Sequence, residues 1–152
     1  MKFTITRQNL HQALSAVSAS IPSKTTLPVL SNILFEARED NLQMSGTDLD
    51  VGVRIGVPAD IVETGSLTAP GKKLREITRE LADHPVEVNT RGDQIELECG
   101  RSHFKLNGLP AADFPSLPEI AFDGGWSAKG KDLLSLIRHT AFAVSTEESR
   151  PV

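Results

Sequence analysis

The sequence predicts an α+β fold: antiparallel sheets carrying two amphipathic helices in a complete first domain, followed by a second domain cut off after its first helix. Three observations carry this reading. Residues 29–57 and 85–108 alternate apolar and polar positions in short runs separated by turns, the texture of antiparallel strands. Two stretches, 7–20 and 70–81, instead space their apolar residues at helical intervals. The start of the chain also reappears, 123 positions later, as a second copy.

Element by element, residues 2–6 form a short strand. Leu10, Ala13, Leu14 and Val17 then make the stripe of an amphipathic helix over 7–20. Pro22 and Pro28 bound a loop at 21–28, because proline fixes its own φ and turns the preceding residue away from helix. Ser31 to Ala37 is an apolar strand, Asn41 to Ser45 alternates through Leu42 and Met44, and Val51, Val53, Ile55 and Val57 alternate along a third strand. After a turn at Thr64-Gly65, a short strand runs from Ser66 to Ala69. Pro70-Gly71 opens a second helix with Leu74, Ile77 and Leu81 on one face. Strands at Val86–Thr90, Gln94–Cys99 and Ser102–Asn107 follow as a meander, with turns at Arg91-Gly92-Asp93 and Gly100-Arg101. Pro110, Pro115 and Pro118 exclude helix and central strand from 109–118 and predict an extended segment packed along a surface. Residues 122–130 are expected to form a strand, and 131–143 a third helix with Leu133, Leu136 and Ile137 facing inward.

The repeat sets the domain division. Under the 123-residue shift Phe3-Thr4 falls on Trp126-Ser127, Asn9-Leu10 on Asp132-Leu133, Leu14 on Ile137 and Pro28-Val29 on Pro151-Val152. The domains expected are therefore 1–120, complete, and 121–152, truncated. A helix whose covering sheet is missing predicts that 122–152 is mobile, exchanged between chains, or packed on another molecule.

Composition narrows the partners. No run approaches the roughly 20 apolar residues of a membrane span, and the start, Met1-Lys2-Phe3-Thr4-Ile5, lacks the features of a secretory leader. The single cysteine, Cys99, rules out an internal disulfide and suits a reducing compartment, so a soluble cytoplasmic protein is expected. The net charge of −4 is unevenly placed: residues 1–35 carry +3, 70–81 carry +2 and 126–140 carry +2, which leaves −11 for the remainder. Local sign, more than the total, decides where a polyanion can approach.

Catalytic chemistry finds no foothold. His11, His84, His103 and His139 have no second histidine at metal-ligand spacing. Asp48 and Asp50 share a face but read as the solvated end of a hairpin rather than a cation site. Gly65 to Lys73 has the wrong glycine spacing for a phosphate-binding loop, and Lys73 stands where a magnesium-holding hydroxyl belongs. Cys99 is expected to pack as a small apolar group, and no nucleophile elbow occurs. No catalytic residue, metal or cofactor is expected.

Several runs resemble the bacterial DNA sliding clamps, the β subunits of replicative polymerases. They are Met1-Lys2-Phe3-Thr4-Ile5, Leu27-Pro28-Val29-Leu30-Ser31-Asn32-Ile33-Leu34, Gly46-Thr47-Asp48-Leu49-Asp50 and, most specific, Leu109-Pro110-Ala111-Ala112-Asp113-Phe114-Pro115. Glu148-Ser149-Arg150-Pro151-Val152 resembles the family's second helix-to-strand loop. The resemblance implies three similar domains per chain and two chains closing head-to-tail into a homodimeric ring, with helices lining the hole and sheets outside. It implies a processivity factor that encircles duplex DNA and tethers the replicative polymerase, sliding without sequence specificity and without catalysis. Sequence-independent phosphate contacts suit a ring that must slide.

Family positions that touch the phosphate backbone of double-stranded DNA map to Lys24, to Lys72 and to the loop carrying Glu147, Arg150, Pro151 and Val152, with Lys73 and Arg7 as helpers. Some members carry aromatic residues where this chain has Pro151 and Val152. The ring seam maps to the edge strand bearing Phe104 and Leu106 and to the helix bearing Leu74 and Ile77. The family's pocket for polymerase and clamp-loader peptides falls almost wholly outside these residues. Two rival readings are an enzyme on a helix-plus-sheet fold, whose turnover would survive loss of Lys24 and Lys72, and a free-standing dimeric binding domain.

Overall fold

The computed structural model describes residues 1–22, 24–118 and 124–144. The chain divides into two units, Met1–Leu117 and Pro118–Val152.

The first unit is built from two antiparallel sheets. Strand β1 (Lys2–Thr6) leads into helix α1 (Arg7–Val17) and a 3-10 turn (Ser18–Ser20). A second 3-10 turn (Pro28–Ser31) introduces β2 (Asn32–Ala37), β3 (Leu42–Thr47), β4 (Gly52–Val57), β5 (Asp60–Glu63) and β6 (Gly65–Pro70). Helix α2 (Gly71–Glu80) precedes β7 (Pro85–Arg91), β8 (Gln94–Cys99) and β9 (Ser102–Asn107). One sheet has the order β5-β1-β7-β8-β9 and the other β4-β3-β2-β6. A bridge between Thr68 and Leu109 ties the β6 and β9 edges together.

Local chemistry explains most of these boundaries. The Thr6 hydroxyl accepts from the Asn9 N–H at 3.2 Å and caps α1. Gly92 and Gly100, at φ 56° and 59°, occupy the two-residue loops of the β7–β8 and β8–β9 hairpins, which need the left-handed backbone that glycine adopts freely. The predicted stripes are the core: Leu10, Ala13, Leu14 and Val17 from α1 and Leu74 from α2 are buried among Phe3, Phe35, Leu42, Met44, Val86 and Leu97. Each such leucine or phenylalanine contributes about 1.5–3 kcal/mol by leaving water.

The Pro-rich segment after β9 packs on this unit as expected but is not extended throughout: Ala111–Asp113 form a 3-10 turn, which Pro110 can precede because the turn needs no N–H from it. Phe114 is buried, the Thr68 hydroxyl donates to the Leu109 carbonyl at 2.9 Å, and the Leu117 carbonyl accepts from Arg54 at 3.4 Å. Asp48 likewise serves its hairpin, accepting from the N–H groups of Asp50 and Val51 at 3.0 and 2.7 Å. Cys99 is buried against the carbonyls of Ala82 and His84.

In the second unit, α3 spans Gly130–Thr140 and a 3-10 turn follows at Ala141–Ala143. Shifted back by 123 positions these become 7–17 and 18–20, the bounds of α1 and its own 3-10 turn. Two expectations fail here. Residues 124–129 form no strand, because no ladder partner lies beside them among the described residues. Leu133, Leu136 and Ile137 do not face inward: they are 42%, 66% and 53% exposed, since no sheet covers this helix among the described residues of its unit. The part of the expected strand at 122–123 lies outside the described residues.

Candidate nucleic-acid interface

Helices α1 and α2 pack side by side, with the start of α1 beside the end of α2. At that end the Arg7 guanidinium donates to the Thr78 carbonyl at 3.4 Å and approaches the Asp83 carboxylate at 3.7 Å. One turn along α1, His11 Nδ1 lies 3.1 Å from the Thr78 hydroxyl. Thr78 is fully buried and its hydroxyl donates to the Arg75 carbonyl, so the His11 ring nitrogen is the donor to Thr78. Arg7 thus sits at the positive end of its own helix but places its charge on the negative end of α2, where the dipoles favour it.

The opposite end of the pair has no such compensation. Gly71 opens α2 where a Cβ would overlap the side chains of Ile21 and Ile33, so only glycine lets the helix start this close to the first loop. That approach brings Lys72 Nζ to the Pro22 carbonyl at 3.5 Å, two residues from Lys24 in the same loop. Lys24, Lys72 and Lys73 are all exposed, and none forms an ion pair among the described residues.

The helix offers them no relief either. Lys72 and Lys73 occupy the first turn of α2, which contains no acidic residue. Cations at a helix N-terminus are opposed by the aligned peptide dipoles, by about 0.3–1 kcal/mol each at the surface. Lys129 and Lys131 repeat the pattern at the start of α3, with Asp132 beside them. Positive side chains added to positive helix ends are an arrangement that an incoming anion stabilises.

The proposed seam residues divide by burial. Phe104 and Leu106 lie on the edge strand β9, opposite Leu97 and Ile95 of β8, and extend the core face of the sheet to a half-buried margin. Ile77 is half-buried. Leu74 is 1% exposed and belongs to the core, so it supports this margin from behind and does not reach its surface. Glu147, Arg150, Pro151 and Val152 lie outside the described residues.

Sequence reasoning missed the polar outer face of the five-stranded sheet. There Glu96 is nearly buried between Lys105, at 2.7 Å, and Arg91, at 3.8 Å. The hydrogen bond from Lys105 holds its carboxyl below the ordinary value, partly opposed by burial and assisted by the positive charges of Lys105, Arg91 and His103. Alternation along β7–β9 signals the outward face, but not which charges meet across it. Among the described residues no group of three or more His, Cys, Asp or Glu side chains gathers where a metal could be held. No described helix is long and apolar enough to cross a membrane.

Solved structures place this arrangement in the DNA-clamp class of folds. A Pseudomonas aeruginosa sliding clamp (DNA polymerase III subunit beta) bound to griselimycin matches with a TM-score of 0.90 and 35% identity, over 97% of this chain and 41% of that one. A C. crescentus beta sliding clamp matches with a TM-score of 0.84 and 39% identity, over 99% and 41%. Among curated relatives, the beta sliding clamp of Caulobacter vibrioides is 40% identical and that of Chlamydia pneumoniae 33%. The model of the DNA polymerase III beta subunit, N-terminal domain, matches residues 1–118, and the chain belongs to that family. It spans 41% and 42% of the length of those two curated relatives.

Proposed function

We propose that residues 1–152 are the N-terminal part of a processivity factor that encircles duplex DNA and tethers a replicative polymerase, with no catalytic role of its own. In this reading 1–120 is the first clamp domain and 121–152 the start of the second. Two full-length chains close a ring in the cytoplasm, partly through the margin formed by Phe104, Leu106 and Ile77. Polymerase and clamp loader dock on parts of the full-length protein mostly outside these residues.

The observation that carries the reading is the uncompensated cluster of Lys24, Lys72 and Lys73 at the N-terminal end of α2. Charge of this kind binds phosphates without reading bases. Lys24 and Lys72 are its principal contacts and Lys73 a helper. Arg7 contributes from the far end of the helix pair, and Glu147, Arg150, Pro151 and Val152 form the corresponding loop of the second domain.

The test is fluorescence anisotropy of a labelled duplex with the 152-residue chain, between about 50 and 200 mM salt. Binding is expected to be weak and independent of sequence, because an open piece dissociates where a closed ring is retained topologically. Lys24→Ala and Lys72→Ala should each reduce the steepness of the log–log salt dependence by about 0.9. Tight, sequence-specific binding to short linear DNA, or a salt dependence indifferent to both substitutions, contradicts the proposal.

A further inference from the structure

An open cleft of about 480 Å³ lies between the first loop and the β3–β4 turn, lined chiefly by Lys24, Thr26, Leu27, Leu30, Asp48 and Leu49. Leu30 is buried and forms its floor, while Leu27 and Leu49 are 49% and 60% exposed and form its walls. Leu49 has a φ of 84°, the left-handed region in which a leucine is strained and an asparagine or glycine is at ease.

The turn is built to hold it there. The Thr47 hydroxyl accepts from the Leu49 N–H at 3.0 Å and donates to the Val51 carbonyl at 2.9 Å, while Asp48 accepts from the next two N–H groups. Neither core packing nor turn chemistry explains a leucine at this position, because its side chain is exposed and its backbone strained. Strain kept where it presents a side chain to solvent points to what that side chain touches.

The rims of the cleft carry opposite charges. Lys24 stands on one side and Asp48 on the other. A carboxylate rim repels phosphate, and no aromatic ring lines the cleft for a base to stack on. We propose that this cleft docks an extended peptide segment of a partner protein, with an aliphatic side chain between Leu27 and Leu49, a carboxylate at Lys24 and a basic group at Asp48. The proposal shares Lys24 with the phosphate-binding reading but does not depend on it.

The test is a titration of the ¹⁵N-labelled 152-residue chain with the blocked peptide Glu-Leu-Leu-Lys, followed by NMR. Saturable shift changes are expected at the backbone of Leu27, Leu30 and Leu49. Blocked Gln-Leu-Leu-Gln and Glu-Ser-Ser-Lys should each bind at least about fivefold more weakly. Leu49→Asn tolerates the left-handed backbone and should keep a native spectrum while losing affinity to the same extent. An absence of saturable shifts, equal binding by the three peptides, or an unaltered affinity in Leu49→Asn overturns the proposal. So do cleft shifts that arise from raising the chain concentration alone, which would assign the cleft to a second copy. Cleft shifts induced by a short duplex but not by the peptide would assign it to nucleic acid.

Discussion

Helices α1 and α3 carry the same pattern in opposite surroundings. Leu10, Ala13 and Leu14 of α1 correspond, 123 positions on, to Leu133, Leu136 and Ile137 of α3, and the two helices have corresponding bounds. The first set is at most 1% exposed, whereas the second ranges from 42% to 66%. An apolar stripe at helical spacing therefore specifies that a helix has a face to bury, but not what buries it. For α1 the cover is supplied by the adjoining β1 and, mostly, by β3, β4 and α2, which are distant in sequence.

The comparison is broken most sharply by truncating matched residues. Leu14→Ala should destabilise the first unit by about 2–5 kcal/mol, because a cavity is left in a close-packed core. Ile137→Ala, at the matched position, should change stability by no more than about 0.5 kcal/mol. Urea denaturation of the two variants checks both values. Equal losses would mean that the α3 stripe is covered in solution.

This difference also shows why some of the molecule was legible in the sequence and some was not. Both helices of the first unit, the meander and its glycine turns follow from periodicity and turn chemistry, which are local. Strand β5 was missed, since a single half-buried residue, Ile61, marks its inward face and its pairing with Phe3 spans almost sixty residues. The strand expected before α3 failed for the reverse reason: the pattern is present at 124–129, but a strand requires a neighbour to receive its backbone hydrogen bonds. In the candidate site, the basic character of Lys24 and Lys72 was readable. The approach of Lys72 to the Pro22 carbonyl, two residues before Lys24, was not, because it depends on the missing Cβ of Gly71. Nor could the sequence separate Leu74, which is core, from Ile77, which borders the surface.

A smaller effect sharpens the same comparison at the helix starts. Thr6 caps α1 through its hydroxyl, whereas the matched residue before α3, Lys129, makes no side-chain cap. Thr6→Ala should cost about 1 kcal/mol of first-unit stability, read as a lowered urea midpoint. Lys129→Thr should instead raise the helical signal of the native chain slightly, by supplying the missing acceptor. A gain for both or a loss for both would show that the matched positions are not capping sites of the same kind.

The smallest expected effect lies on the outer face of the first unit, which has no counterpart around α3 among the described residues. Glu96 accepts from Lys105, and its folded carboxyl stays ionised below its ordinary value of 4.5. A group whose pKa is depressed by folding contributes stability that is fully present above its unfolded value and is lost as pH falls through the folded one. Stability of the first unit should therefore decline in acid from about pH 4.5 downward through this group. Glu96→Gln cannot titrate in either state, and Lys105→Met removes the leading cause of the shift, so both should flatten that decline. Arg91→Met should do so less, because Arg91 lies 3.8 Å away and is largely exposed. Urea midpoints measured from neutral pH down to about pH 3 would rank the three variants, and an undiminished acid slope in Glu96→Gln would remove this pair from the account. Because the ion pair sits on the face turned away from the core, its loss should leave the packing that distinguishes α1 from α3 untouched.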